Sequence, residues 1–239
     1  MAYDVYDIAN VCAVKLTQLD HVTNNLANAA TPGFKAERMT FGLQYEDVRS
    51  ALEGKPQDMP AVRVDYSQGS HQRTGNSLDV ALDGEGFFVV ETKEGIAYTR
   101  RGSFRMNMEG ALVTDAGDAV LDESERPIKI SGNSVQIDSQ GQISVDGNPA
   151  GKLKIVRFDN HQNLIRNGNG LFMDPGNAEP AKPENVNVSA GYLELSNVNA
   201  IKEMVEMIDI QRTFEIYQKV IQSMNDQDKL SINRVGKLA

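Results

Sequence analysis

The 239-residue chain has no tryptophan, one cysteine and three histidines. A single cysteine, Cys12, excludes an intrachain disulfide, so the chain does not rely on an oxidising compartment; its apolar neighbours predict a small core residue. His21, His71 and His161 lie 50 and 90 positions apart, and no cysteine or carboxylate cluster joins them at ligand spacing, so neither a metal nor a cofactor is predicted. Basic residues are also in deficit, with 24 Lys and Arg against 33 Asp and Glu and a net charge of −9. That balance argues against nucleic acid or anionic lipid as the main partner. No apolar run approaches the ~20 residues of a membrane span, so no direct membrane insertion is expected. The opening residues, MAYDVYDIAN, place Asp4 and Asp7 where a secretory signal carries positive charge, and no cleaved signal peptide is expected.

What is present is dominated by one stretch. Ser196 to Leu230 contains neither glycine nor proline. It carries Val198, Ile201, Val205 and Ile208 at 3-4-3 spacing, then Ile210, Phe214, Tyr217, Ile221 and Met224 at 4-3-4-3, which predicts one long helix. The step from Ile208 to Ile210 is about 200° at about 100° per residue, so the apolar face moves round the helix and needs more than one neighbour. Asn197 or Asn199 is the predicted N-cap, with Glu203 in the first turn; Lys202 with Glu206 and Glu215 with Lys219 are pairs on the solvated side. Taken alone, such stripes also fit a core helix of an ordinary domain.

A second helix is predicted over residues 3–30, where Val5, Ile8, Cys12, Leu16, Leu19, Val22 and Leu26 recur every three or four positions until Pro32-Gly33 stops the run. Asn24, Asn25 and Asn28 sit in its last turns, placed either to satisfy the final carbonyls or to bridge to a neighbouring subunit. Met39, Phe41, Leu43 and Tyr45 alternate as a half-exposed strand, and residues 49–76 read as a linker holding one short strand at Val62, Val64 and Tyr66.

Between Ser77 and Tyr192 short β-prone runs alternate with turn dipeptides such as Glu94-Gly95, Glu109-Gly110 and Asp146-Gly147. Strands are predicted at Leu78–Leu82, Phe87–Thr92, Ile96–Thr99, Phe104–Met106, Val135–Ile137, Ile143–Val145 and Leu153–Phe158, paired as antiparallel hairpins. The expected architecture is α+β. Long N- and C-terminal helices pack together in a coiled-coil-like pair (1–33 and 193–239), a linker spans 34–76, and an all-β domain of antiparallel strands is inserted at 77–192.

Catalytic arrangements do not emerge. Asp83-Gly84-Glu85-Gly86 feeds Phe87-Phe88-Val89-Val90, a strand and not a helix, so it reads as a hairpin turn and not as a phosphate loop or an acid/base pair. Ser77, Ser103 and Ser134 stand in no nucleophile-elbow context. Arg100, Arg101 and Arg105 read as a solvated hairpin, with a docking patch for an acidic neighbour as the other reading.

Three stretches together resemble one family, the axial rod and hook proteins of the bacterial flagellum. They are NNLANAATPGFK (Asn24–Lys35); LDVALDGEGFFVV (Leu78–Val90), continued by AYTRRGSFRMNMEGALVTDAGDAVL; and GYLELSNVNAIKEMVEMIDIQRTFEIYQKVIQ (Gly191–Gln222). They occur in family order and span nearly the whole chain. The length, the GKLKIVRF stretch and the modest connection over 34–77 resemble the proximal-rod subunit that adjoins the distal rod, while the TRRGSF and QRTFE stretches also suit the distal-rod subunit.

The resemblance implies a non-enzymatic structural subunit. Its partners would be copies of itself and neighbouring rod proteins, in a helical tube that transmits torque from motor to hook. It implies export by the flagellum's own type III apparatus without a cleaved signal peptide, and a place in the periplasmic basal body. It also implies a subunit interface at Leu16, Leu19, Asn24, Asn25, Leu26, Asn28, Val198, Ile201, Val205, Ile208, Phe214, Tyr217, Ile221 and Met224. The competing class is a secreted β-domain binding module or hydrolase with a helical clasp, which requires a concave ligand site within 77–192; the lack of tryptophan and of paired acids there speaks against it.

Overall fold

The computed structural model describes residues 2–40, 61–132, 134–176, 178, 180–183 and 186–235. They form two compact units. A helical unit is drawn from the described residues within 1–27, 37–63 and 199–239, and a β unit from those within 28–36 and 64–198.

The helical unit contains α1, Ala2–Ala27, and α2, Ala200–Val235. α1 ends three residues before Ala30, and the chain then turns through Thr31, whose N–H donates to Asn28 O at 3.0 Å. Of the two expected N-caps for α2, Asn199 takes the role: its Oδ1 accepts from Lys202 N at 3.1 Å. The strand Glu37–Thr40 pairs with Ala61–Val64. Met39 of the expected alternating strand lies in the first of these, whereas Phe41, Leu43 and Tyr45, and residues 49–60 of the expected linker, lie outside the described residues.

The expectation of an α+β fold built on a coiled-coil-like helix pair is overturned. Among the described residues there are two α-helices and one short 3-10 helix, His161–Asn163, and the rest of the regular structure is β, distributed over several sheets. Nor do the helices mesh as a coiled coil. α1 and α2 are joined by hydrogen bonds from Gln18 to Glu206 and from Asn25 to Glu203, while Ile201, Val205 and Ile208 stay exposed. The physical reason lies in the sequence: the step between Ile208 and Ile210 breaks the unbroken heptad seam that knobs-into-holes packing requires.

In the β unit the largest sheet runs in the order Ile165–Arg166, Leu171–Met173, Gly95–Thr99, Phe87–Thr92, Ala119–Val120, Leu112–Thr114 and Phe104–Met106. Ile155–Phe158 also pairs with Phe87–Thr92, through Ile155 and Phe88, and carries Pro180–Ala181. Val135–Ile137, Gln142–Val145 and Asn148–Lys152 form a separate meander, with Asn187–Ala190 on Val80–Asp83 and Tyr192–Glu194 on His71–Arg73 as two-stranded sheets. Every one of these pairings in the β unit is antiparallel.

Strand Phe87–Thr92 is the centre of this unit because both its faces are apolar. Phe88 and Val90 enter one hydrophobic cluster with Leu82, Leu112, Ile143 and Leu153; Phe87 and Val89 enter another with Tyr98, Leu121, Phe158 and Phe172. A continuous run of four large apolar residues is therefore a strand covered on both sides. The expected hairpin turn at Asp83–Gly86 is corrected: Val80–Asp83 and Phe87–Thr92 do not pair with each other but with Asn187–Ala190 and with Gly95–Thr99. The segment is a crossing between sheets.

Candidate functional site

The residues expected to carry function lie mostly on α2, which presents two different faces. Along one, Glu203 and Ile210 are buried and Phe214, Tyr217, Ile221 and Met224 are half-buried. Along the other, Ile201 is 73% exposed, and Met204, Val205 and Ile208 are exposed beside it, spaced so that they share one side of the helix. Ile216 and Val220 continue the exposed apolar surface further along, shifted round the axis by about 60° and 100° relative to Ile201 at about 100° per residue. The half-turn step in the sequence thus separates a face in use from a face that is not.

On α1, Leu16 and Asn24 are exposed, whereas Leu19 and Leu26 are half-buried. Asn25 is buried and its amide is taken up within the chain. Its Nδ2 donates to Glu37 O at 2.8 Å and to Glu203 Oε2 at 3.2 Å, and its Oδ1 accepts from Glu37 N at 2.8 Å. His21 Nδ1 lies 2.6 Å from Glu37 Oε2. These contacts explain why the strand Glu37–Thr40 seats beside the helices: one asparagine side chain replaces a strand partner for Glu37. The two remaining expected interface residues, Asn28 and Val198, belong to the β unit and are half-buried; Asn28 Oδ1 accepts from Thr31 Oγ1 at 3.2 Å.

Of the arginines read as a solvated hairpin, Arg105 is exposed on one, Arg101 is half-buried, and Arg100 departs from that reading altogether. Arg100 is 5% exposed, stands 5.8 Å over the Phe87 ring and donates from Nη2 to Gly84 O at 2.6 Å. Burial lowers its pKa, opposed by the charges of Glu194 and Glu85. Arg101 and Arg105 are occupied nearby, Arg101 Nη2 at 3.5 Å from Asp115 Oδ2 and Arg105 Nη2 donating to Asp115 O at 2.8 Å.

Among the remaining polar candidates, His161 lies against the rings of Tyr66 and Phe87, and burial lowers its pKa. His71 Nε2 is 2.9 Å from the Gln68 amide. Among the described residues no group of His, Cys, Asp or Glu is arranged to hold a metal ion. Sequence reasoning passed over Lys35 and Glu194, and read Asn197 and Glu203 only as a helix cap and a first-turn acid, whereas Asn197 bonds to Ala36 N and Asp65 O and Glu203 accepts from Asn25. The available signal was their position inside the three family-like stretches.

Comparison with known proteins agrees with this placement. Residues 189–234 match the family described as "Flagellar basal body rod FlgEFG protein C-terminal", and residues 81–145 match "Flagellar hook protein FlgE/F/G D1 domain". The chain is 32% identical over 228 residues to the flagellar basal-body rod protein FlgF of Caulobacter vibrioides, covering 92% of this chain and 93% of that protein. It is 32% identical over 251 residues to the rod protein FlgG of Bacillus subtilis, covering 91% and 94%. It is 33% identical over 235 residues to FlgG of Buchnera aphidicola subsp. Schizaphis graminum, covering 87% and 89%. These similarities set aside the hydrolase and secreted-module readings. With an exposed apolar helix face and relatives of this kind matched along most of its length, the chain belongs to the flagellar basal-body rod proteins and is a structural subunit, not an enzyme.

Proposed function

We propose that the exposed face of α2, with Ile201, Met204, Val205 and Ile208, is the principal surface by which this subunit joins copies of itself and neighbouring rod proteins in a helical tube that transmits torque from motor to hook. Leu16 on α1 is a further exposed contact, and the half-buried Phe214, Tyr217, Ile221 and Met224 offer a second, lesser one on the opposite face of α2. The observation that carries the reading is that a helix whose opposite face is already covered leaves four neighbouring large apolar side chains in solvent. Full burial of each contributes ~1.5–3 kcal/mol, and helical symmetry repeats the contact at every subunit.

The subunit travels through the flagellum's own type III export apparatus and assembles in the periplasm. It sits in the proximal rod next to the distal rod, on the strength of the GKLKIVRF stretch and the modest connection over 34–77; the distal rod is the alternative position. The test is Ile208→Asp in the full chain. Loss of swimming with an unaltered melting profile of the purified subunit supports the reading, and normal swimming overturns it.

A further inference from the structure

Within the β unit, three passes of the chain meet around charges that are out of solvent. Lys35 is 1%, Glu194 2% and Arg100 5% exposed. Lys35 Nζ donates to Glu194 Oε1 at 2.6 Å and to Ser67 O at 2.7 Å, and Gly69 N donates to the same Oε1 at 3.0 Å. Arg100 Nε stands 3.8 Å from the other carboxylate oxygen.

Main chain knits the same segments together. Gly33 N donates to Glu194 O at 2.7 Å, Ala36 N to Asn197 Oδ1 at 2.8 Å, and Asn197 Nδ2 to Asp65 O at 2.8 Å. Arg166 adds a hydrogen bond to Lys35 O and lies 4.6 Å over the Phe34 ring. Two glycines make the approach feasible. A Cβ on Gly69 would lie 1.9 Å from Leu195 O; one on Gly33, which has a φ of 67°, would lie 2.6 Å from Arg101 N.

The segments so joined, 28–36, 64–69 and 194–198, are the parts of the β unit that are contiguous in sequence with the helical unit. They also contain parts of two of the family-like stretches, and Arg100 comes from the third. A buried ion cluster is a poor device for net stability, since desolvating the charges offsets most of their attraction. What it supplies is direction. A lysine ammonium, a main-chain N–H and a guanidinium converge on one carboxylate in a single register, and a slip of either segment would strand a charge in the interior.

We propose that Lys35, Glu194 and Arg100 form a clamp that fixes the register in which these three passes seat on the β unit, and that they act as positioning residues for the points where the chain leaves it. The clamp is a property of the single chain and does not rest on how subunits assemble. Burial lowers the Lys35 pKa, and the Glu194 carboxylate opposes that shift.

The experiment is amide hydrogen exchange on the full chain, wild type against Glu194→Gln and against the apolar double variant Lys35→Met/Glu194→Leu, which keeps the interior filled. The expected result is exchange faster by at least about tenfold at Gly33, Ala36, Gly69 and Asn197 in both variants, with Val89 and Val90 unchanged, as local opening without global unfolding requires. If Glu194→Gln does not fold, the double variant is read alone. Unchanged exchange at the four junction amides, or acceleration shared equally by Val89 and Val90, overturns the clamp.

Discussion

Strand Phe87–Thr92 and helix α2 are both rich in large apolar residues, yet Phe88 and Val90 are 0% exposed while Val205 is 54% exposed. The strand is covered on both faces by its own chain, and the helix on only one. A region finished by its own chain and a region that leaves an apolar face in solvent sit side by side in the sequence of one protein. The difference supports the proposed division, in which the β unit supplies stability and the helical unit carries the surface proposed for joining subunits.

The sharpest way to break this contrast is to remove one apolar side chain from each. Phe88→Ala opens a cavity in a filled core and should cost ~3–5 kcal/mol in a urea unfolding curve. Ile208→Asp, on the exposed face, should cost less than about 0.5 kcal/mol in the same experiment. Equal losses would erase the distinction on which the account is built.

A mutation of intermediate effect probes what holds the helical unit. Asn25→Ala removes three hydrogen bonds at once and leaves Glu37 N–H and buried Glu203 without that partner. A loss of ~1–3 kcal/mol is expected. It should appear as faster amide exchange at Glu37 and not at Val89. Acceleration at both would mean that the two regions do not open independently.

The smallest effects are electrostatic and belong to the β unit. The Tyr66 phenol is pushed up to about 12 by burial, against a usual value of 10.0, and its hydroxyl is buried without a hydrogen-bond partner among the described residues. The folded state keeps the proton in a range where the unfolded chain releases it. Stability from this group is therefore full below pH 10 and lost as pH rises toward about 12. Tyr66→Phe should flatten the melting temperature across that window. His161 has the opposite sign. Burial lowers its pKa below 6.5, so its contribution is full above that pH and falls as the solution is acidified through it, and His161→Phe should remove that slope.

Much of the fold was legible because its signals are local. The Gly/Pro-free stretch predicted α2, Pro32-Gly33 marked the end of α1 within three residues, and the strand at Phe87–Thr92 was expected with the bounds it has. Asn148–Lys152 was not anticipated, because Pro149 and Gly151 are poor strand residues and only the tertiary ladder with Gln142–Val145, irregular at Ile143 and Ser144, makes it β.

Arg100 was misread for a related reason. Two adjacent arginines beside a glycine suggest solvent, and nothing nearby in sequence reveals that Glu194, 94 positions later, meets the first of them. The exposed face of α2 was legible only as periodicity. Which of its two stripes is covered depends on Asn25 and Gln18, polar residues of α1 that no hydrophobic pattern brings forward.

The most direct test of the central contrast is side-chain oxidation footprinting of Met204, on the exposed face of α2, in the purified monomer and in isolated basal bodies. Met108, at the tip of the hairpin of Phe104–Met106 and Leu112–Thr114, reports within the β unit. The account predicts that Met204 oxidises readily in the monomer and is protected by about tenfold or more once assembled, as burial in a packed interface requires. Equal oxidation of Met204 in both states would contradict it.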